Sequence, residues 1–167
     1  MIIYHHRNDV FNCIFRFLSI FSILDGEKIE FERLKIIDFY FAFPHLLVST
    51  TIPRSAGSSK IKKFAQTLST PYENFPSNRI LFSEMGDFQS QALDILRSKE
   101  ILILEDGWLS IGEVFRREEI MRLVTDSRFT STPIFKTLIT VFMACNLHGV
   151  NGLKSKTGLM EYRYDAV

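Results

Sequence analysis

The stretch ILILEDGWLSIG, residues 101–112, predicts a β-hairpin. Two short β-prone runs flank Asp106-Gly107, a dipeptide that favours the tight two-residue turn between antiparallel strands. Apolar residues recur at helical spacing over residues 79–97 and predict a helix there, which Gly86 can divide into two shorter ones. The sequence therefore places a helix directly before a hairpin.

Further helices surround this unit. Asn8 and Asp9 supply N-cap chemistry for an amphipathic helix over residues 10–24. A second helix is predicted from about Glu30 to Phe43, and Pro44 ends it or opens a new turn. The remaining predicted elements are a turn-rich linker at 49–59, a short basic helix after it, helices at about 113–126 and 132–146, and short strands at 2–4 and about 159–164.

Helices that lead into a hairpin and are followed by more helix have the order of a winged-helix domain. We therefore expect an α+β, mostly helical fold with a winged-helix-like core, a β-hairpin wing and additional helices. Residues 1–167 are expected to form a single domain, with an N-terminal helical part (1–48), a winged-helix part (about 59–126) and a C-terminal helix and strand (130–167). The alternative is a generic α+β domain in which the hairpin merely caps a helical bundle.

The segment RLKIIDFYFAFP, residues 33–44, is too apolar for a helix with one buried face and too short to span a membrane. A core-facing stripe on this helix leaves Ile36, Phe39 and Phe43 toward its flanks. Large apolar side chains at the flanks favour contact with another chain. We predict that Ile36, Phe39 and Phe43 bind a partner; the alternative is that they pack on helix 10–24 and the tail.

The composition favours a cytoplasmic protein that does not enter a membrane. The formal net charge of +1 gives no global attraction to nucleic acid, and no apolar run reaches the roughly 20 residues that span a bilayer. No secretory signal pattern opens the sequence. Cys13 and Cys145 lie in apolar helical patterns and are expected to be buried thiols. The 16 Phe, 5 Tyr and 1 Trp indicate an aromatic surplus, which is typical of a protein partner surface.

The sequence offers no pattern for catalysis, a cofactor or a metal. His5 and His6 are adjacent on a predicted strand, so they point to opposite faces and predict no metal site. Acidic residues at 113, 118 and 119 alternate with arginines, as on a solvated helix face. Neither a GxSxG nucleophile elbow nor a GxxxxGK phosphate loop occurs. We therefore expect a protein without enzymatic activity.

Direct nucleic-acid binding by the helix before the hairpin is not favoured. That helix carries two arginines against three acidic residues, and acidic groups oppose the counterion release that drives binding to phosphates. The better candidate contact is a basic cluster without an acidic residue among its neighbours. Its members are Arg54, Lys60, Lys62 and Lys63. The alternative reading of this cluster is a solvated loop and helix start.

Three stretches resemble the middle components of ABC-three-component systems, the bacterial anti-phage systems that include the Lamassu family. They are MIIYHHRNDVFNCIFRFLSIF at the start, EFERLKIIDFYFAFPHLL after it, and ILILEDGWLSIGE with the helix before it. The most specific part is RLKIIDFYFAFPHLL, and the resemblance weakens over residues 50–78 and after 128.

The resemblance implies a non-catalytic adaptor subunit that links a structural-maintenance-of-chromosomes-like ABC ATPase to an effector, often a nuclease. DNA would be reached through the complex, and no catalytic residue is carried over from the family. The rival interpretation is a homodimeric winged-helix DNA-binding regulator, which would require a basic recognition surface.

Overall fold

The computed structural model describes residues 9–69, 75–161 and 163. Helices dominate, and the strands form a small antiparallel sheet. In chain order the elements are α1 (Val10–Leu24), β1 (Ile29–Glu30), α2 (Phe31–Ala42), a 3-10 helix (Pro44–Val48), α3 (Ser58–Thr67), α4 (Asn78–Ser98), β2 (Leu102–Glu105), β3 (Trp108–Ile111), a 3-10 helix (Glu113–Arg116), α5 (Glu118–Thr125), α6 (Arg128–Ser131), α7 (Pro133–Met143) and α8 (Leu153–Thr157). The predicted α+β, mostly helical class is confirmed.

The first helix, α1, is the centre of the fold. Asp9 caps it, because its Oδ1 accepts a hydrogen bond from the backbone N–H of Phe11 at 2.8 Å. Asp25, at φ 51°, ends the helix in the left-handed conformation. Between these caps α1 packs against α2, α4, α5, α6 and α7. The helix predicted at 10–24 and its cap are confirmed.

The sheet has the order β1-β3-β2, with both pairs antiparallel. Asp106 at φ 50° and Gly107 at φ 81° form the turn between β2 and β3, as a type I′ turn requires at both central positions. The hairpin predicted at 101–112 is confirmed. Strand β1, which the sequence did not predict, pairs Ile29 with Leu109 and Glu30 with Trp108.

Several predicted boundaries differ from the structure. Helix α4 runs unbroken through Gly86, because buried side chains on either side of it anchor one continuous face. The helix predicted at 113–126 is instead a 3-10 turn followed by α5, since Arg117 between them is extended. No strand forms at residues 159–161 or 163, and the strand predicted at 2–4 lies outside the described residues.

Most of the aromatic side chains among the described residues are buried in the fold. The ring of Phe41 stacks on Phe129 with centroids 4.9 Å apart, and Phe135 meets both rings edge-on. On the other side of α2, Phe39 contacts the rings of Tyr40 and Phe82. These contacts join α2 to α4, α6 and α7.

A buried polar network ties three helices together. The Nε of Arg16 donates to Asp38 Oδ1 at 2.7 Å, and the amide of Gln89 donates to Asp38 Oδ2 at 2.9 Å. Arg16, Asp38 and Gln89 stand on α1, α2 and α4, and all three are buried. Because each charge has a partner, the network fixes how the three helices pack.

In the described part of the chain, no helix has both the length and the hydrophobicity that crossing a bilayer requires.

Candidate partner-binding surface

The residues predicted to bind a partner are interior residues of this fold. Ile36 and Phe39 are 0% exposed and Phe43 is 7% exposed. Helix α2 lies between α1, α4 and α7, and the 3-10 helix at Pro44–Val48 also packs against it. The flanks of α2 are therefore covered by this chain itself, which corrects the expectation that Ile36, Phe39 and Phe43 face another protein.

The structure separates Lys62 from the other three members of the basic cluster. The Nζ of Lys62 donates to the backbone carbonyls of Leu47 at 3.0 Å and Val48 at 2.9 Å, and also to that of Thr50. Lys62 therefore caps the carbonyl end of a 3-10 helix, and desolvation lowers its pKa. Three cations remain exposed to solvent: Arg54, Lys60 and Lys63.

The surroundings of both cysteines disfavour the thiolate form. Burial, together with the nearby Asp38 carboxylate, raises the pKa of the Cys13 thiol, and burial also raises that of Cys145. In the described part of the chain, no three His, Cys, Asp or Glu side chains come together as a metal would need. His5 and His6 lie outside the described residues.

The hairpin presents an apolar outer face that was not among the predicted site residues. Alternation along the strands turns Leu102 and Leu109 to the core and Ile103 and Trp108 to solvent. Ile103 is 41% exposed and Trp108 is 43% exposed. Because the hairpin pairs Trp108 with Glu105 and Ile103 with Ser110, the two apolar side chains are diagonal neighbours. The signal was present in the sequence as apolar residues on both faces of a short hairpin.

A groove of about 960 Å³ lies beside β2. It is lined by Asp94, Arg97, Ser98, Glu100, Leu102, Ile103, Leu104, Glu113, Val114 and Arg117. Three consecutive residues of β2 contribute to it and no residue of β3 does, so the groove follows the edge of the sheet and not its face.

Part of the backbone of β2 is not paired by β3. Glu105 and Trp108 close the two-residue turn as a hydrogen-bonded pair, and Gly112 N–H donates to Ile101 C=O at 2.8 Å further along. The alternation between these pairs directs the N–H and C=O groups of Leu102 and Leu104 away from β3. In the described part of the chain β2 pairs with β3 alone, but Leu102 is buried and Leu104 is half-buried, so this edge is largely covered by the chain itself.

The groove carries an excess of negative charge. Asp94, Glu100 and Glu113 line it against two arginines, and Glu105 and Asp106 add acidic groups on the adjoining hairpin. We call this groove, together with the outer face of Ile103 and Trp108, the hairpin surface. It combines exposed apolar side chains with net charge, which are elements of protein recognition.

Comparison with known protein families assigns the chain to one of them. Comparisons with curated proteins and with solved structures gave no match. The model of the family described as ABC-three component (ABC-3C) system Middle Component 5 matches residues 2–165, nearly the whole sequence. The resemblance inferred from three separate stretches is thus confirmed at the level of the ABC-3C family. The chain belongs to the family of ABC-3C system middle component 5 proteins.

Proposed function

We propose that this chain is a non-catalytic adaptor subunit of a Lamassu-type bacterial anti-phage system. It works in the cytoplasm, where it links a structural-maintenance-of-chromosomes-like ABC ATPase to an effector such as a nuclease. The observation that carries the proposal is the hairpin surface. The family to which the chain belongs is one component of a three-component system, so the chain is expected to have partners for such a surface. The side chains first expected to serve as anchors are buried, so this role passes to Ile103 and Trp108.

The proposed fold type is a winged helix with an insertion. The order α1-β1-α2-α4-β2-β3 supports it, because the short first strand pairs with β3 and so joins the hairpin to the first two helices. In this interpretation α4 is the helix before the wing, and the 3-10 helix and α3 are inserted between α2 and α4. Residues 9–48 then contribute to the winged-helix core together with residues 78–111, and do not form a separate helical part.

Co-expression with the products of the neighbouring genes tests the adaptor role. We expect a stable complex that contains the ATPase and the effector, and we expect Ile103→Ser to weaken it. Ile80→Ser is the matched control, because Ile80 is 53% exposed on α4 and does not line the groove. A subunit that remains a monomer when both neighbouring gene products are co-expressed with it would refute the proposal.

A second candidate function is DNA binding as a homodimeric regulator. It is favoured by one observation: Arg54, Lys60 and Lys63 are exposed in the segment 51–69, which contains no acidic residue. Salt-dependent binding of the isolated subunit to duplex DNA, lost in Lys60→Glu/Lys63→Glu, would support this function. Lys62 is left unchanged in this test, because its ammonium group holds the fold together.

A further inference from the structure

We propose that the outer face of the hairpin binds an arginine of a partner subunit, whose guanidinium group stacks on Trp108 and pairs with the carboxylate of Glu105. This inference rests on the proposed adaptor function and assigns its central contact. Glu105 and Trp108 are directly opposite each other at the end of the β2-β3 ladder, so their side chains leave the sheet on the same face. Both residues are exposed, and no cation among the described residues pairs with Glu105.

The charges on this face are arranged around the tryptophan. Strand β1 places Glu30 opposite Trp108 on the side away from Glu105, so the ring stands between two glutamates. Glu30 is already compensated, because Arg33 donates to both of its carboxylate oxygens, at 2.7 and 3.2 Å. That arginine is buried, so it offers no charge to a partner. The uncompensated negative charge therefore lies on the other side of Trp108, at Glu105 and at Asp106 in the turn.

An arginine side chain matches this arrangement. A cation is attracted to the face of an aromatic ring, and among aromatic side chains the indole of tryptophan attracts it most strongly. The planar guanidinium group can stack on a ring and donate two hydrogen bonds to a carboxylate, whereas the ammonium group of lysine is a point charge. Ile103, the diagonal neighbour of Trp108, offers an apolar surface to the methylene groups of the same arginine.

The described cations nearest to the hairpin leave this contact open. Arg97 and Arg117 line the groove beside β2, where three carboxylates outnumber them. Neither Glu105 nor Trp108 lines that groove, so the proposed contact lies outside it. Lys28 is exposed just before β1, but β3 separates β1 from the strand that carries Glu105. The end of the hairpin therefore keeps a negative charge that a partner can neutralise.

Other occupants fit this face less well. Two copies of this chain that met hairpin to hairpin about a two-fold axis would bring like carboxylates together. The same carboxylates would repel the phosphates of a nucleic acid. A purely apolar side chain would cover Trp108 but would leave the neighbouring Glu105 carboxylate partly desolvated and without a partner.

Conservative substitutions test the contact in the complex with the ATPase and the effector, after circular dichroism has shown that each variant folds. Trp108→Leu should weaken the complex by about tenfold, while Trp108→Phe, which keeps an aromatic ring, should weaken it by about threefold. Glu105→Gln removes only the charge and should weaken the complex by about fivefold. Glu84→Gln is the matched control and should leave the affinity unchanged, because Glu84 is an exposed glutamate in the first half of α4 and does not line the groove.

Combining two of these substitutions tests whether one side chain makes both contacts. An arginine that has lost either Trp108 or Glu105 is held less firmly by the other. Trp108→Leu/Glu105→Gln should therefore weaken the complex by less than the product of the two single effects. A loss equal to that product would indicate two independent contacts and would overturn the shared arginine.

The remaining outcomes are also decisive. Equal affinities of the Trp108→Leu and Trp108→Phe variants would show that no cation lies on the ring, and equal affinities of the Glu105→Gln and Glu84→Gln variants would show that none pairs with Glu105. Either result would overturn the arginine contact and leave the adaptor function standing. Absence of any complex with the unsubstituted subunit would overturn the adaptor function and this inference together.

Discussion

The Nε of Arg16 lies 2.7 Å from the Oδ1 of Asp38, and the two side chains are 6% and 0% exposed. Removing one partner of a buried ion pair strongly destabilises the fold, because the other charge is left without compensation. We expect Asp38→Ala to lower the free energy of unfolding by about 3–5 kcal/mol. Urea denaturation measures the change.

Two further variants show whether the cost arises from the orphaned charge. Arg16→Met/Asp38→Leu removes both charges and should recover part of the lost stability, since the buried Gln89 amide then keeps only its bond to the Lys35 carbonyl. Arg122→Ala, which breaks an exposed pair with Glu118 on α5, should cost less than about 0.5 kcal/mol. A double variant as unstable as Asp38→Ala would contradict this explanation.

Lys62 is expected to be a structural lysine. Its Nζ satisfies the carbonyls of Leu47 and Val48, so Lys62→Ala should cost about 1–3 kcal/mol of unfolding free energy. Lys60→Ala and Lys63→Ala remove neighbouring exposed ammonium groups and should each change stability by about 0.5 kcal/mol or less. Thermal unfolding of the three variants separates them, and three equal midpoints would refute the capping role.

Local chemistry made some of this fold predictable. The Asp9 cap and the Asp106-Gly107 turn depend on residues next to one another, and both are present in the structure. Strand β1 was not predictable in the same way, because two residues give no alternation and their partner is Trp108–Leu109, far along the chain.

The same limit explains why the surroundings of several predicted site residues could not be foreseen. Periodicity placed Ile36 and Phe39 on the flanks of α2, but only the packing of α4 and α7 decides that those flanks are covered. Lys62 joined the basic cluster for a similar reason, since the carbonyls that it binds lie 12 to 15 residues away in sequence. The hairpin surface was recognisable only once the sheet order showed β2 to be an edge strand.

Two glycines are expected to respond oppositely to alanine. A Cβ on Gly112 would lie 2.1 Å from the Glu100 carbonyl oxygen, where the chain passes close to the start of β2. A Cβ on Gly86 meets no atom within 4 Å, in the middle of α4. Gly112→Ala should therefore destabilise the fold by about 2 kcal/mol or more, while Gly86→Ala should stabilise it by about 0.5–1 kcal/mol. Denaturation midpoints with opposite signs are the expected result, and destabilisation by both would contradict it.

His45 is expected to make stability depend on pH. Its ring lies 6.1 Å from that of Phe43 and 6.0 Å from that of Phe75, and its buried Nε2 has no hydrogen-bond partner among the described residues. Burial lowers the pKa of His45 below its ordinary 6.5, so the unfolded chain binds the proton more readily than the folded one. The contribution of neutral His45 to the free energy of unfolding is therefore fully present above pH 6.5. It is lost as the pH falls below 6.5 toward the lower pKa that His45 has in the folded protein. His45→Phe should flatten that part of the profile, and an unchanged profile would refute the assignment.

Phe39 and Trp108 should separate folding from assembly. Phe39 is fully buried and contacts Tyr40 and Phe82, so Phe39→Ser should lower the free energy of unfolding by about 3–5 kcal/mol and yield little folded subunit. Trp108→Ser changes a half-exposed side chain on the outer face of the hairpin and should cost about 1 kcal/mol or less. The same variant should nevertheless weaken the complex by at least about tenfold, because large rings dominate the energetics of protein interfaces.

Circular dichroism of each purified variant and co-purification with the neighbouring subunits provide the two readouts. A folded Phe39→Ser subunit that fails to assemble would return the interface to α2, and a Trp108→Ser subunit that assembles normally would remove it from the hairpin.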